Sequence, residues 1–136
     1  MLKIIGTLDT SVILRFLSKD DPDKSAIFLK LIEKAEQSKS AYLIPDMVIA
    51  EMVFTLAGKY YNYSRPDIAS LVMSLAALPQ IQLEDRSAMI DAVNVYASSA
   101  LKFGDAVILA KARNLKATPI YTFDAHFKSV PDAKVM

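Results

Sequence analysis

The sequence predicts an α/β fold, a three-layer α/β/α sandwich with a central parallel sheet of four to five strands, formed as a single domain over residues 1–136. Three observations predict it. Short apolar and β-branched runs recur near residues 4–8, 41–45, 81–84 and 119–124, each bounded by capping or turn residues. Longer stretches between them carry apolar residues at helical spacing. Strands that alternate with helices pack as a parallel sheet, because parallel neighbours need a crossover and the crossover helices cover both faces.

Ile4-Ile5-Gly6-Thr7-Leu8 suits a buried strand of such a sheet. Gly6 interrupts it, which marks a bulge or a close helix contact. Asp9 stands where the strand ends, at the edge where open α/β sheets bind ligands. Capping the next helix is its plain structural role, and Thr10-Ser11 suit the same purpose. That helix shows Val12, Ile13, Phe16 and Leu17 at helical spacing and breaks at Ser18-Lys19-Asp20-Asp21-Pro22. Asp21 and Pro22 form a cap and first turn for a second helix. Its inner stripe is Ile27, Phe28, Leu31, Ile32 and Ala35, with Lys24, Lys30, Glu33, Lys34 and Glu36 facing water.

Ala41-Tyr42-Leu43-Ile44-Pro45 reads as the second strand, and Asp46 as the cap of a third helix from Met47 to about Tyr60. This helix is apolar almost all round, with Glu51 as its interior charge among Val48, Ile49, Met52, Val53 and Leu56. A buried carboxylate is costly without a partner, so Glu51 either meets a core cation or polar seam or serves a function. Tyr60-Tyr61-Asn62-Tyr63 makes an aromatic corner that either packs on a neighbouring helix or subunit or stacks on unpaired bases. Ser64-Arg65-Pro66-Asp67 opens a fourth helix in capping-box style, with Ile68, Leu71, Val72 and Leu75 on one face. Ile81 to Glu84 is a short third strand. Met89, Val93, Tyr96 and Ala97 mark a fifth helix that ends near Ser98-Ser99.

Phe103-Gly104-Asp105-Ala106 begins a sixth helix, with Asp105 in its first turn where the macrodipole favours a carboxylate. Lys111, Arg113 and Lys116 make its far end basic, either solvated or set for a phosphate contact. No glycine stops this helix, and Asn114 is the substitute at hand. Pro119 to Asp124 is the fourth strand and again finishes on an aspartate. His126, the single histidine, reads as a surface imidazole beside it, with assistance at the site as the alternative. Ala133 to Met136 offers a short edge strand.

Composition narrows the class. The chain is 53% hydrophobic, which implies a well-filled core or an apolar subunit interface. No segment reads as membrane-spanning: the longest uncharged run, Ile68 to Leu83, holds 16 residues and is broken by Pro79, Gln80 and Gln82. Nothing near residue 1 reads as a signal peptide, since Asp9 interrupts the apolar stretch. Cysteine is absent, which excludes disulfides and thiolate metal sites and fits a cytoplasmic protein. A net charge of +1 means that nucleic-acid binding must use a local patch. The only glycines are Gly6, Gly58 and Gly104, so no glycine-rich loop cradles a nucleotide.

Four carboxylates then stand out. Asp9 and Asp124 end strands, Asp105 begins a helix, and Glu51 lies a turn into a helix that follows a strand. All four are placed to meet at the carboxyl edge of one sheet. Grouped carboxylates cannot all ionise without a counter-charge. Mg²⁺ or Mn²⁺ supplies one, since these hard ions take oxygen ligands together with substrate phosphates. The residues therefore point to a metal-dependent phosphodiesterase or nuclease.

Leu8-Asp9-Thr10-Ser11, Ile49-Ala50-Glu51, Phe103-Gly104-Asp105-Ala106 and Tyr121-Thr122-Phe123-Asp124-Ala125-His126-Phe127 carry a family likeness in their order and spacing. Across essentially the whole chain, the sequence resembles the PIN-domain ribonucleases, in particular the VapC toxins of toxin–antitoxin pairs. The resemblance implies an endoribonuclease whose acidic quartet, Asp9, Glu51, Asp105 and Asp124, surrounds Mg²⁺ or Mn²⁺. Asp9 and Asp105 would be the direct ligands, and Ser11 and Thr122 the polar supports. It further implies an RNA substrate, a homodimer and a cognate antitoxin protein. Two other classes compete. A haloacid-dehalogenase-like phosphotransferase would use Asp9 as nucleophile, but lacks here its second aspartate two residues on. A catalytically silent RNA-binding or scaffold module would keep the fold without the chemistry.

Overall fold

The computed structural model describes residues 2–18 and 21–136. Within the break expected at residues 18–22, Lys19 and Asp20 lie outside the described residues. The fold is α/β, and every strand pairing is parallel, as the alternation of elements requires. The chain falls into two compact units, one running to Arg86 and one from Ser87 to Met136.

The first unit contains β1 (Lys3–Thr7), α1 (Thr10–Ser18), α2 (Pro22–Gln37), β2 (Ser40–Ile44), α3 (Asp46–Ala57), α4 (Arg65–Ala76) and β3 (Ile81–Leu83). Its strands form a three-stranded ladder in the order β1-β2-β3. β2 is central and nearly all buried, whereas β1 is an edge strand. Ile4 and Ile5 remain 42% and 38% exposed, so β1 is not the buried strand that its apolar run suggests. A short apolar run has the same composition at an edge as in the centre, and pairing alone separates the two cases. Gly6 does mark a bulge. Ile4 pairs with Ala41 and Gly6 with Tyr42, which leaves Ile5 as an extra residue. The close neighbour there is the Tyr42 ring, 3.4 Å from where a Gly6 Cβ would sit, and not a helix.

The helix starts follow the local chemistry. Asp21 accepts from the Lys24 N–H at 3.2 Å and Ser64 from the Asp67 N–H at 3.3 Å, with a proline at the opening of each helix. The start of α3 differs from expectation. Asp46 is its first residue, Pro45 occupies the cap position, and the Asp46 N–H is satisfied instead by Glu84 Oε1 at 2.9 Å. This helix also stops earlier than Tyr60, at Ala57, where the Gly58 N–H turns back to the Thr55 carbonyl at 3.1 Å. In α2 the buried stripe is narrower than its pattern: Phe28 and Ala35 are buried, but Ile27 is exposed. Phe28 stacks on Phe16 of α1 with ring centroids 4.2 Å apart. α1 packs on α2 and α3, and α3 on α4, around the buried Ile13, Ile49, Met52, Leu56, Ile68 and Leu75.

The second unit contains α5, which opens at Arg86 and runs to Ser98, α6 (Phe103–Asn114), β4 (Ile120–Thr122), a 3-10 turn (Ala125–Ser129) and β5 (Ala133–Val135). β4 and β5 form a two-stranded parallel ladder. Tyr96 and Phe103 meet edge to face at 5.8 Å, beside the buried Met89, Val93, Leu109 and Phe127. Asn114 Nδ2 donates to Ser87 Oγ at 3.3 Å, tying the end of α6 to the start of α5.

α6 is not stopped by Asn114. The Lys116 N–H bonds to the Arg113 carbonyl at 3.1 Å, and the Ala117 N–H reaches back to the Ala112 carbonyl at 2.8 Å, while Lys116 itself takes a left-handed φ of 55°. This is a Schellman stop with lysine where glycine is usual. A side chain in that conformation costs about 1–2 kcal/mol, and glycine's greater freedom when unfolded returns about 0.5–1 kcal/mol of that. Lys116→Gly is therefore expected to stabilise the fold by about 0.5–1 kcal/mol. A higher urea midpoint with an unchanged m-value would register it, and an unchanged or lower midpoint would contradict it.

Candidate active site

In the first unit, the β1–β2 ladder continues to Leu8, whose N–H bonds to the Leu43 carbonyl at 2.9 Å. The chain then turns at once into α1, with the Asp9 carbonyl accepting from the Val12 and Ile13 N–H groups at 3.2 and 3.4 Å. The Asp9 carboxylate is thereby left at the strand end and exposed to solvent. Ser11 Oγ donates to Asp9 Oδ2 at 3.3 Å.

Thr10 is the residue that the sequence reading undervalued. Its side chain is only 7% exposed, and its Oγ1 donates to Glu51 Oε2 at 3.3 Å. The two hydroxyls after Asp9 thus engage carboxylates: Ser11 holds Asp9, and Thr10 holds Glu51. The available signal was the pair of hydroxylated residues directly after a strand-ending acid. Glu51 also departs from expectation in its setting. It lies on the solvent face of α3 between the exposed Met47 and Phe54, while Val48, Ile49, Met52, Val53 and Leu56 turn inward. It is an accessible carboxylate held by a hydroxyl, and no core cation is needed to explain it.

The second unit carries the other two acids. Asp105 is half-buried at the third position of α6, whose cap residue is Lys102. Asp124 lies two residues beyond the end of β4 and caps the 3-10 turn. Its backbone N–H donates to Thr122 Oγ1 at 2.9 Å. Asp124 Oδ1 accepts from the His126 backbone N–H and pairs with His126 Nδ1, both at 2.8 Å. His126 is a surface imidazole, as expected, yet it is fixed to the acid beside it. It also lines a cavity of about 230 Å³ with Leu101, Leu109, Arg113 and Pro131. Arg113 is bound to Asp132 at 2.7 Å, so the basic end of α6 is partly engaged within the protein and is not simply a solvated or phosphate-ready face.

Among the described residues, no three histidine, aspartate or glutamate side chains form one metal-holding group. The quartet is distributed as two acids on each unit. The donors offered are nonetheless all hard oxygens on accessible or half-buried carboxylates, which suits Mg²⁺ or Mn²⁺.

The His126 backbone N–H, then its ring, and more weakly the Lys102 charge hold the Asp124 carboxyl below its ordinary value. A depressed carboxyl stabilises the fold above the unfolded value of about 3.9, and that contribution is lost as pH falls through the folded value. His126→Ala removes the ring but keeps the backbone donor. The Asp124 carboxyl, followed by NMR titration, should then move only part of the way back up. An unmoved titration would show that the ring pairing has no energetic weight.

The PIN domain family matches residues 7–133 of the chain. A curated protein, the VapC ribonuclease of Aquifex aeolicus (strain VF5), is 26% identical over 123 residues, covering 90% of each chain. No solved structure matches at a significant level.

Proposed function

The chain belongs to the PIN-domain family, and from that premise we propose that it is a metal-dependent endoribonuclease, the toxin of a toxin–antitoxin pair. The observation that carries this reading is the support of acids by neighbouring hydroxyls, Ser11 on Asp9 and Thr10 on Glu51. Fixed, solvent-accessible carboxylates suit ligation, because outer hydrogen bonds orient ligands and tune them. The curated VapC ribonuclease, similar over nine-tenths of each chain, supports RNA as the substrate.

Asp9, Glu51, Asp105 and Asp124 would hold Mg²⁺ or Mn²⁺, with Asp9 and Asp105 as direct ligands. Such an ion supplies charge opposite the phosphodiester oxygens and lowers the pKa of bound water. The protein's own part is positional. Ser11 fixes the Asp9 carboxylate at the end of β1, Thr10 holds Glu51 on α3, and His126 fixes the Asp124 carboxylate after β4, where Thr122 accepts from the Asp124 backbone. The family match runs through Arg86 and Ser87, which supports one PIN-like domain built from both units.

A cognate antitoxin protein and a homodimer belong to the same proposal, as does action in the cytoplasm. The chain's 53% hydrophobic content supports the dimer, which light scattering would detect. Among the described residues no helix is long and apolar enough to cross a membrane. The decisive experiment incubates the purified chain with RNA in Mn²⁺, Mg²⁺ or excess EDTA. Cleavage is expected with either metal and none with EDTA. Full activity in EDTA would overturn the metal-dependent reading. RNA binding without cleavage under any condition would favour the silent module.

A further inference from the structure

We infer that the corner from Gly58 to Arg65 is a stacking platform for unpaired bases of single-stranded RNA, with Tyr60 as the contact ring. The inference rests on the ribonuclease reading and adds to it a substrate-gripping surface just beyond the carboxyl end of α3.

The backbone builds the platform. α3 stops at Gly58, and the chain folds back so that the Asn62 N–H reaches the Gly58 carbonyl at 2.7 Å and the Tyr63 N–H the Leu56 carbonyl at 2.9 Å. Asn62 turns the corner in the left-handed region, φ 52°, which asparagine tolerates better than most residues. The three tyrosines then brace one another. Tyr61 and Tyr63, both half-buried, meet edge to face at 6.0 Å and 88°, and Tyr60 meets Tyr61 at 4.8 Å and 81°.

Tyr60 is nevertheless 83% exposed. A ring that served packing on its own unit would be covered, as Tyr42 and Tyr96 are. Its surroundings favour a polyanion. Residues 58–65 contain no acid, and Lys59, adjacent to Tyr60 in the chain, is exposed. The other prominently exposed aromatics lack this setting: Phe54 lies three residues from Glu51, Tyr121 three residues from Asp124, and Phe123 is next to Asp124. An open aromatic face beside a cation is the pattern of sequence-tolerant single-strand binding, in which bases stack and phosphates meet positive charge. Asn62 is exposed and adds an amide able to meet base edges.

The test measures binding of a fluorescent, unstructured twelve-nucleotide RNA to the full chain by anisotropy in EDTA. Tyr60→Ala should weaken binding by about 5- to 150-fold, the range for loss of one base–aromatic stack. Tyr60→Phe should bind like wild type, since the ring and not the hydroxyl is used. Lys59→Ala should flatten the slope of log K against log salt by about 0.7. Wild-type affinity in Tyr60→Ala, or equal losses in the Ala and Phe variants, would overturn the platform. So would a change of oligomeric state on Tyr60→Ala, which would assign the ring to a second copy of the chain. Cleavage by wild type in Mn²⁺ with an unaltered KM for Tyr60→Ala removes this inference alone. A wild type that neither binds nor cleaves RNA removes the ribonuclease reading beneath it.

Discussion

Asp9→Asn should lower the rate of RNA cleavage by more than a hundredfold while leaving the melting temperature close to that of wild type. The side chain is exposed, and its contact with Ser11 can be kept by the amide oxygen, so the fold loses little. The chemistry loses a charge. Charge stabilisation at a metal-assisted phosphodiester is worth several kcal/mol, and each 1.36 kcal/mol is tenfold in rate, so about 3 kcal/mol suffices for a hundredfold loss. Thr10→Val provides the graded companion. It keeps the buried shape but removes the hydroxyl that holds Glu51, and loss of an outer-sphere partner commonly costs about 10- to 100-fold in activity or metal affinity. Single-turnover cleavage of a defined RNA measures both variants. Wild-type rates in Asp9→Asn would remove Asp9 from the reaction.

Saturating Mn²⁺ should raise the melting temperature of wild type by roughly 10 °C. A ligand bound only by the folded state adds about 2.7 kcal/mol at a hundredfold its dissociation constant. For a chain of this size each kcal/mol shifts the melting temperature by roughly 3–5 °C. Asp105→Asn should gain only a small part of that shift. In EDTA the same variant should melt slightly below wild type, because a carboxylate in the first turn of α6 is favoured by about 0.3–1 kcal/mol over a neutral group. An ordinary capping role predicts the EDTA difference but an unchanged response to Mn²⁺. The two roles are therefore separated by the metal increment and not by the basal stability.

Much of the fold was legible because helix and strand periods differ and because the boundary residues are strong signals. Asp21-Pro22 and Ser64-Arg65-Pro66 mark helix starts by themselves, and the structure uses both. What was not legible depended on neighbours remote in sequence. Ile4 and Ile5 look like core but lie on an edge strand, and the α3 start that should belong to the Asp46 side chain is completed by Glu84, 38 residues away. Lys116 carries no local hint of a left-handed conformation, since only the return of the chain after α6 demands it. At the candidate site, the positions of Asp9, Asp105 and Asp124 at element ends followed from the pattern of elements. The exposure of Glu51 did not, because α3 reads as apolar all round although its residues 47, 51 and 54 share one open face. Thr10 reads only as a cap for a similar reason: a hydroxyl after an acid suggests one until a partner 41 residues away is seen.

The bulge at Ile5 has a practical meaning for handling this protein. Pairing from Gly6 to Leu8 is fixed against Tyr42 and Leu43, whereas pairing of Lys3 and Ile4 against Ser40 and Ala41 runs in a different phase. The extra residue separates the two stretches, so a slip upstream can be absorbed there without rotating Leu8 or Asp9. An affinity tag or fusion partner joined ahead of Lys3 would pull on the first two pairings, and the slack at Ile5 would take up the strain. Attachment ahead of Lys3 is therefore expected to leave the placement of Asp9 untouched. A tag placed after Val135 has no such relief, since the Met136 N–H pairs directly with the Thr122 carbonyl at 2.8 Å, beside the hydroxyl that supports Asp124.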